Sequence, residues 1–483
     1  MKEATLIKDL LTFLEATPTS YHTSEYIVKQ LTQLKNPFTV LSPDRTWNLQ
    51  AGARYVVKRG GNVLAFILPP NKKAPPNRFT IWASHSDSPA LKLKSLSTLE
   101  KDNCHIALSE PYGGIAMHSW FNRDLILAGR VFLERNLQAN QSKQAAQLLS
   151  SSFETKLVAL SEIPVTIPAL AVHLKSDPTP PNGPASTPNS ELELRPLLGL
   201  SSEKITTENY IETILQNHIA NKIKDKTSKS KTIDKKSVHR KIRGWDLAFV
   251  PAEAPSILGV SGEFIAARRL DNLAMTHAGL YAFSSLTNAS STTNKNTFHP
   301  KTLPILAVFD HEEIGSNSHE GASSVFLLQT LERIYDCLSF SYEELLKSLH
   351  RTVAVSADMA HGSHPNYPHL SSDLTKPLLG KGPALKKQGH LRYITDGSGE
   401  AFIRLLAEEH KIPMQTFTGR SDIGSGATIG PLLARELGAT TIDLGAPMLS
   451  MHSTRELMAA ADHLTTISLA HAFFTTSIIK PHS

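Results

Sequence analysis

"LPILAVFDHEEIGSNSHEGASS", residues 303–324, decides how this chain folds. Leu303 to Phe309 is a short apolar run closed by loop-type residues, the signature of a buried strand. Its mouth carries Asp310, His311, Glu312 and Glu313, where a turn residue would be the ordinary ending. The pattern recurs along the chain. "RFTIWASHSD" runs into His85 and Asp87, "RTVAVSADMAH" into Asp358, and "ATTIDLGAP" leads on to His452 in "MLSMHSTRE". Asp271 in "RRLDNLAM" stands where a helix begins. Helical stretches such as "NLAMTHAGLYAFSSL" and "SYEELLKSLH" lie between the strand-like runs. That alternation predicts an α/β domain with helices on both faces of a mostly parallel sheet.

The chain has 483 residues, enough for a large core and more than one domain. Its 40% hydrophobic and 19% charged composition is that of a soluble globular protein. No apolar run approaches the roughly 18 residues that span a bilayer, so no membrane partner is expected. The first residues, "MKEATLIKDLLTFLEATPTS", form an amphipathic pattern without the basic start and apolar middle of a signal peptide. Cys104 and Cys337 stand far apart, in no metal-like or redox-like pair, as expected for a reduced cytoplasmic protein. The formal charge of +6 comes from one segment, residues 221–243, which alone carries +8 and leaves −2 for the rest. A lysine run without aromatic partners is a solvated loop rather than a nucleic-acid site, and no nucleic-acid partner is expected.

A middle region has a different character. "RDLILAGRVFLE" and "VTIPALAVHL" look like β structure, while residues 175–191 and 221–243 hold too little apolar surface to order themselves and read as mobile loops. The region from 93 to 249 is therefore expected as a second, β-rich domain inserted between two parts of the α/β domain, 1–92 and 250–483.

Ligands of open α/β sheets bind outside the carboxyl ends of the strands. Buried carboxylates cannot stay charged together there without cations. Imidazoles and carboxylates without thiolates suit zinc, manganese or cobalt. Any one of these residues could be a cap, and Asp87 alone could be a turn residue before Pro89. The Gly-rich "DIGSGATIGP" at 422–431 lacks the Gly-Lys-Ser/Thr ending of a phosphate loop. It is the set of strand-end groups that points to metal chemistry.

The chain resembles the aspartyl aminopeptidase family of dinuclear zinc metallopeptidases, which also contains vacuolar aminopeptidase I. The resemblance rests on "ASHSDSPALKLK", "YGGIAMHSWFNRDLILAGRV", "IPALAVHL", "RRLDNLAM", "DHEEIGS", "SADMAHGSHPNYP", "KGPALK", "GATIGPLLARELG" and "MHSTREL", in the family's order and nearly end to end. It implies a mixed, mostly parallel sheet flanked by helices, with the inserted β-rich domain serving in dimerisation. It implies two divalent metal ions per chain, most simply zinc, with manganese or cobalt as alternatives. Asp271 matches the carboxylate bridging both ions; His85 and Asp358 match the other ligands of one, Glu313 and His452 those of the second. Asp87 matches the carboxylate that orients His85, and Glu312 the general base acting on a metal-activated water. Lys386 in "KGPALKK" matches the lysine that meets an acidic substrate side chain. Tyr393 in "LRYITD" matches the tyrosine on the scissile carbonyl, and His173 a histidine that reaches a neighbouring subunit's pocket.

The expected activity is removal of N-terminal Asp or Glu from peptides by a homo-oligomer, a dodecamer built from dimers. Broad or neutral specificity, or an inactive scaffold or cargo protein of the same fold, are the alternatives. Three departures touch the pocket and the assembly contacts but no ligand. Asn122 stands for the family's Asp in "WFDRDL", Ala169 for the first His of "IPHLAIHL", and "RSDIGSG" for "RNDTPCG".

Overall fold

Alternating side chains along the strands build the larger part of the protein around a sheet buried on both faces. The computed structural model describes residues 2–71, 74–135, 152–174, 187–201, 209–227, 240–287, 296–424 and 426–478. The chain divides into two compact units, Met1–Ser88 with Ala254–Ser483, and Pro89–Glu253. The domain limits expected from the sequence are 92/93 and 249/250.

The first unit holds β1 (Thr39–Leu41), β2 (Arg54–Arg59), β3 (Asn62–Ile67), β4 (Arg78–His85), β5 (Thr302–Phe309), β6 (Val353–Ala357), β7 (Ala384–Lys386), β8 (Gln415–Phe417) and β9 (Thr440–Gly445). They form one sheet in the order β1-β2-β3-β5-β4-β6-β9-β7-β8. The central strands β5, β4, β6 and β9 are mutually parallel, while β3 meets β5, and β7 meets β9, in antiparallel pairing. Trp82, Leu306, Val308, Val353 and Val355 feed one core, which the helices Lys2–Ala16, Leu270–Ser284, Gly397–Glu409 and Ala460–Thr475 complete. Their neighbours Ile81, Ala83, Ile305, Ala307 and Ala354 feed the opposite core, under Phe326–Cys337, Tyr342–His350 and Gly430–Leu437. That is the two-sided burial expected of parallel strands.

Local signals fix the helix ends. Ser341 and Glu344 form a reciprocal capping box at the start of Tyr342–His350, and Gly438, at φ +59°, ends Gly430–Leu437. A small second sheet in the same unit joins Ser256–Leu258, Phe264–Ala267, Glu456–Ala459, Pro447–Leu449 and Ala360–His361.

In the second unit, the strand Ile242–Pro251 pairs with both Ala90–Lys101 and Asp124–Glu134, so the seven-stranded sheet closes on itself. Its core takes Ile211, Leu215 and Ile219 from the helix Tyr210–Thr227. Three details of this region differ from expectation. Residues 221–227, expected in a loop, continue that helix, and residues 242–243 already belong to a strand; 228–239 lie outside the described residues, as do 175–186 of the other expected loop. "VTIPALAVHL" gives only a two-residue strand, Val165–Thr166, because Pro168 has no N–H for a ladder. Ile167 is buried, whereas Leu170 and Val172 are 57% and 73% exposed.

Candidate metal centre

The carboxyl ends of β4, β5, β6 and β9 sit side by side, with Phe309 in register with His85 and Ala357 with Leu444. The strand-end residues therefore converge. Asp271 lies at the centre, on the first turn of Leu270–Ser284. Its Oδ1 is 3.5 Å from His85 Nε2 and its Oδ2 is 3.4 Å from His452 Nε2. His452 Nε2 is also 3.2 Å from Glu313 Oε2, and His85 Nε2 is 3.9 Å from Glu312 Oε2. Potential ligand atoms of His85, Asp271 and Asp358 all lie within 4.8 Å of one another, and so do those of Asp271, Glu313 and His452. Asp271 belongs to both groups.

Two buried oxygens, Asp271 Oδ1 and Glu313 Oε1, have no hydrogen-bond partner. An orphaned buried acceptor costs about 1–3 kcal/mol, more when charged, and a cation would satisfy both. The nitrogen and oxygen donor set is that of zinc or a similar divalent ion. The residues present fit the group that the sequence implies.

Electrostatics agree with the geometry. Burial, together with its carboxylate neighbours Asp358 and Glu313, raises Glu312 well above the usual range against the pull of His85. Burial likewise raises Glu313 to about 7 and Asp358 to about 6. His452 goes the other way. Burial lowers it, but the carboxylates of Asp271 and Glu313, which favour the protonated imidazole, outweigh that and carry it to about 11. Asp271 is held low despite its burial, by the imidazoles of His452 and His85 beside it. Ligand-capable groups here hold protons that a divalent cation would displace.

Adjacent residues at a strand end would, in extended chain, project in different directions. Glu312 and Glu313 instead form a 3₁₀ turn, Glu312–Ile314, between His311 at φ +62° and Gly315 at φ +89°. Successive side chains of such a turn point about 120° apart. One therefore faces His85 and the other His452. The turn also aims two consecutive N–H groups at Asp87, whose Oδ1 and Oδ2 accept from Glu312 and Glu313 at 3.1 and 3.0 Å. Asp87 also approaches His85 Nδ1 to 3.4 Å, beside its own carbonyl at 3.1 Å.

The remaining expected residues fall in two places. Lys386, at the end of β7, is 3% exposed; its Nζ donates to the Met359 carbonyl at 2.6 Å and lies 3.7 Å from Asp358 Oδ1. The Tyr393 ring centre is 5.4 Å from the same Nζ. Lys386 thus lies beside Asp358, and Tyr393 beside Lys386. His173 lies in the second unit, on the exposed 3₁₀ turn Val172–Leu174.

Sequence reasoning missed several supporting groups. Ser88 Oγ donates to the Asp271 carbonyl at 2.7 Å, and Arg269 Nε lies 3.3 Å from that hydroxyl. Asp443 Oδ2 accepts the Ile394 N–H at 2.6 Å, next to Tyr393. Glu456 accepts the backbone N–H groups of Asp271 and His452. Its place four residues after His452 in "MHSTREL" was the available signal.

Comparison with known proteins gives a concordant result. The chain is 33% identical over 488 residues to "Aspartyl aminopeptidase 4" of Saccharomyces cerevisiae, covering 97% of this chain and 94% of that protein. It is 34% identical over 479 residues to "Aspartyl aminopeptidase 1" of Schizosaccharomyces pombe, covering 96% and 94%. Among solved structures, a chain from the complex of Ape4 and Nbr1 superposes with a TM-score of 0.84 at 33% identity, over 98% of this chain and 86% of that one. The family described as "Aminopeptidase I zinc metalloprotease (M18)" matches residues 13–474, and with the convergent His and carboxylate groups this makes the chain a member of the M18 family of aminopeptidases, hydrolases acting on peptide bonds.

Proposed function

We propose that this aminopeptidase binds two divalent ions and removes N-terminal Asp or Glu from peptides, with Glu312 as general base. The observation that carries the reading is the position of Asp271, one oxygen toward His85 and the other toward His452. His85, Asp271 and Asp358 would hold one ion, and Asp271, Glu313 and His452 the other. Zinc is favoured by the family's description, with manganese or cobalt able to use the same donors. When bound, the ions supply Lewis acidity, lowering the pKa of the attacking water and stabilising negative charge on the carbonyl oxygen.

The chain's own groups do the rest. Glu312, whose side chain is 15% exposed at the edge of the buried cluster, takes the proton of the attacking water and returns it to the departing amine. Burial raises its pKa above that of an exposed glutamate, which makes it a stronger acceptor of that proton. Asp87 holds Glu312 and Glu313 in place through their N–H groups. Tyr393 orients the scissile carbonyl, and Lys386 pairs with the acidic side chain of the substrate.

One observation favours a broader specificity as the second reading. Lys386 already donates to Met359 O and lies beside Asp358, so part of its donor capacity is engaged.

The assembly proposed is a homo-oligomer, a dodecamer built from dimers, acting in the cytoplasm. Leu170, Val172 and Leu174 of the second unit, 57%, 73% and 68% exposed, support a subunit contact there. His173 stands among them, and His173→Ala should lower turnover without loss of metal. Among the described residues no helix is long and apolar enough to cross a membrane.

The test is a panel of aminoacyl chromogenic substrates assayed during a metal titration. Activity should saturate near two ions per chain and favour Asp and Glu over Leu and Ala. Absence of hydrolysis on every substrate at full metal content would remove the enzymatic reading.

A further inference from the structure

Glu456 opens the strand Glu456–Ala459, in register with Ala267 of the strand that leads into the Asp271 helix. Its carboxylate is buried, at 2% exposure. Each oxygen has a separate task. Oε2 accepts the backbone N–H of Asp271 at 3.0 Å, and Oε1 accepts that of His452 at 2.7 Å. One side chain therefore ties together two residues 181 positions apart in the chain, whose own side chains meet at 3.4 Å.

The His452 backbone gives this tie a purpose. His452 sits at φ +66° and Ser450 at φ +58°, in the left-handed region that side chains bearing a Cβ enter only when held there. The Glu456 bond to the His452 N–H is such a hold. The arrangement mirrors Asp87, whose two oxygens accept the N–H groups of Glu312 and Glu313. Two buried carboxylates thus hold the backbone N–H groups of four residues of the centre.

We infer that Glu456 is a positioning residue for the ion held by Asp271, Glu313 and His452: it sets the approach of His452 to Asp271 without touching the ion or substrate. The inference rests on the two-ion reading given above. A glutamine would not replace it. Both partners are donors, and a Gln amide offers one acceptor oxygen and one NH₂ that would face an N–H.

The test uses the full-length chain, stripped of metal and titrated with zinc alone against a chromophoric chelator. Glu456→Gln should weaken one of the two zinc sites about 10–100-fold, the scale for groups that orient ligands, and leave the other closer to wild type. Turnover should recover in excess zinc with KM little changed. A folded Glu456→Gln chain with both affinities unchanged overturns the inference and leaves the two-ion reading standing; a wild-type chain that binds no zinc removes both. If the variant does not fold, hydrogen exchange of the wild type decides. The amides of Asp271 and His452 should stay protected after zinc is removed, because Glu456 rather than the ion holds them. Loss of that protection on stripping would overturn the inference.

Discussion

Asp87 Oδ1 accepts the backbone N–H of Glu312 at 3.1 Å, and its other oxygen reaches the next N–H in the chain. The 3₁₀ turn that presents both glutamates is thereby fixed to the end of β4, two residues after His85. Asp87→Asn keeps the shape but turns one acceptor into a donor that faces an N–H. Metal affinity or kcat should fall about 10–100-fold, as for other groups that orient ligands. Zinc titration and steady-state assays on the purified variant check this, and wild-type values in both would refute the assigned role.

Metal binding should strengthen as pH rises. Burial puts Glu313 at about 7 and Asp358 at about 6, while His452, lowered by burial but raised further by Asp271 and Glu313, stands at about 11. All three must lose protons to bind a cation, so binding releases protons and weakens in acid. The contribution of Glu313 to the stability of the metal-free chain runs the opposite way. It is full below the ordinary 4.5 and is lost as pH rises through about 7. The increase in Tm on adding zinc should therefore be larger at pH 8 than at pH 6. Equal increases at the two values would contradict the assignment of these residues to the centre.

Lys386 separates acidic from broad specificity. Its ammonium is buried beside Asp358 and Tyr393, where a substrate carboxylate would pair with a desolvated charge. Truncating one member of such a pair typically costs 2–5 kcal/mol. Lys386→Leu should thus lower kcat/KM for Asp and Glu substrates by about 30-fold or more, with a much smaller loss for Leu and Ala substrates. Equal losses on both classes, together with reduced zinc content, would mean that Lys386 serves Asp358 instead.

Much of this arrangement was legible in the sequence because it follows from hydrophobic pattern. The run Leu303 to Phe309 and its parallel neighbours have apolar side chains for both cores, so their strands and polar ends could be located from the pattern of apolar runs. The turn at Glu312 and Glu313 was not legible. It depends on His311 adopting a left-handed backbone, which its residue type does not announce. Glu456 was hidden for another reason, since its partners are backbone groups and one of them is 185 residues away. The lysine-rich segment misled in its first residues because lysine is a good helix former, and a helix with a buried face at Ile211, Leu215 and Ile219 extends into it as far as Thr227.

The central claim, that the centre hydrolyses peptides with Glu312 moving the proton, is tested most directly by Glu312→Gln. The substitution removes the base and leaves His85, Asp271, Asp358, Glu313 and His452 in place. Metal content and turnover should be measured on the same sample. The account predicts about two ions per chain, as in wild type, with kcat lowered about 10²–10⁴-fold at saturating substrate. Wild-type kcat in a fully metallated Glu312→Gln chain would contradict it.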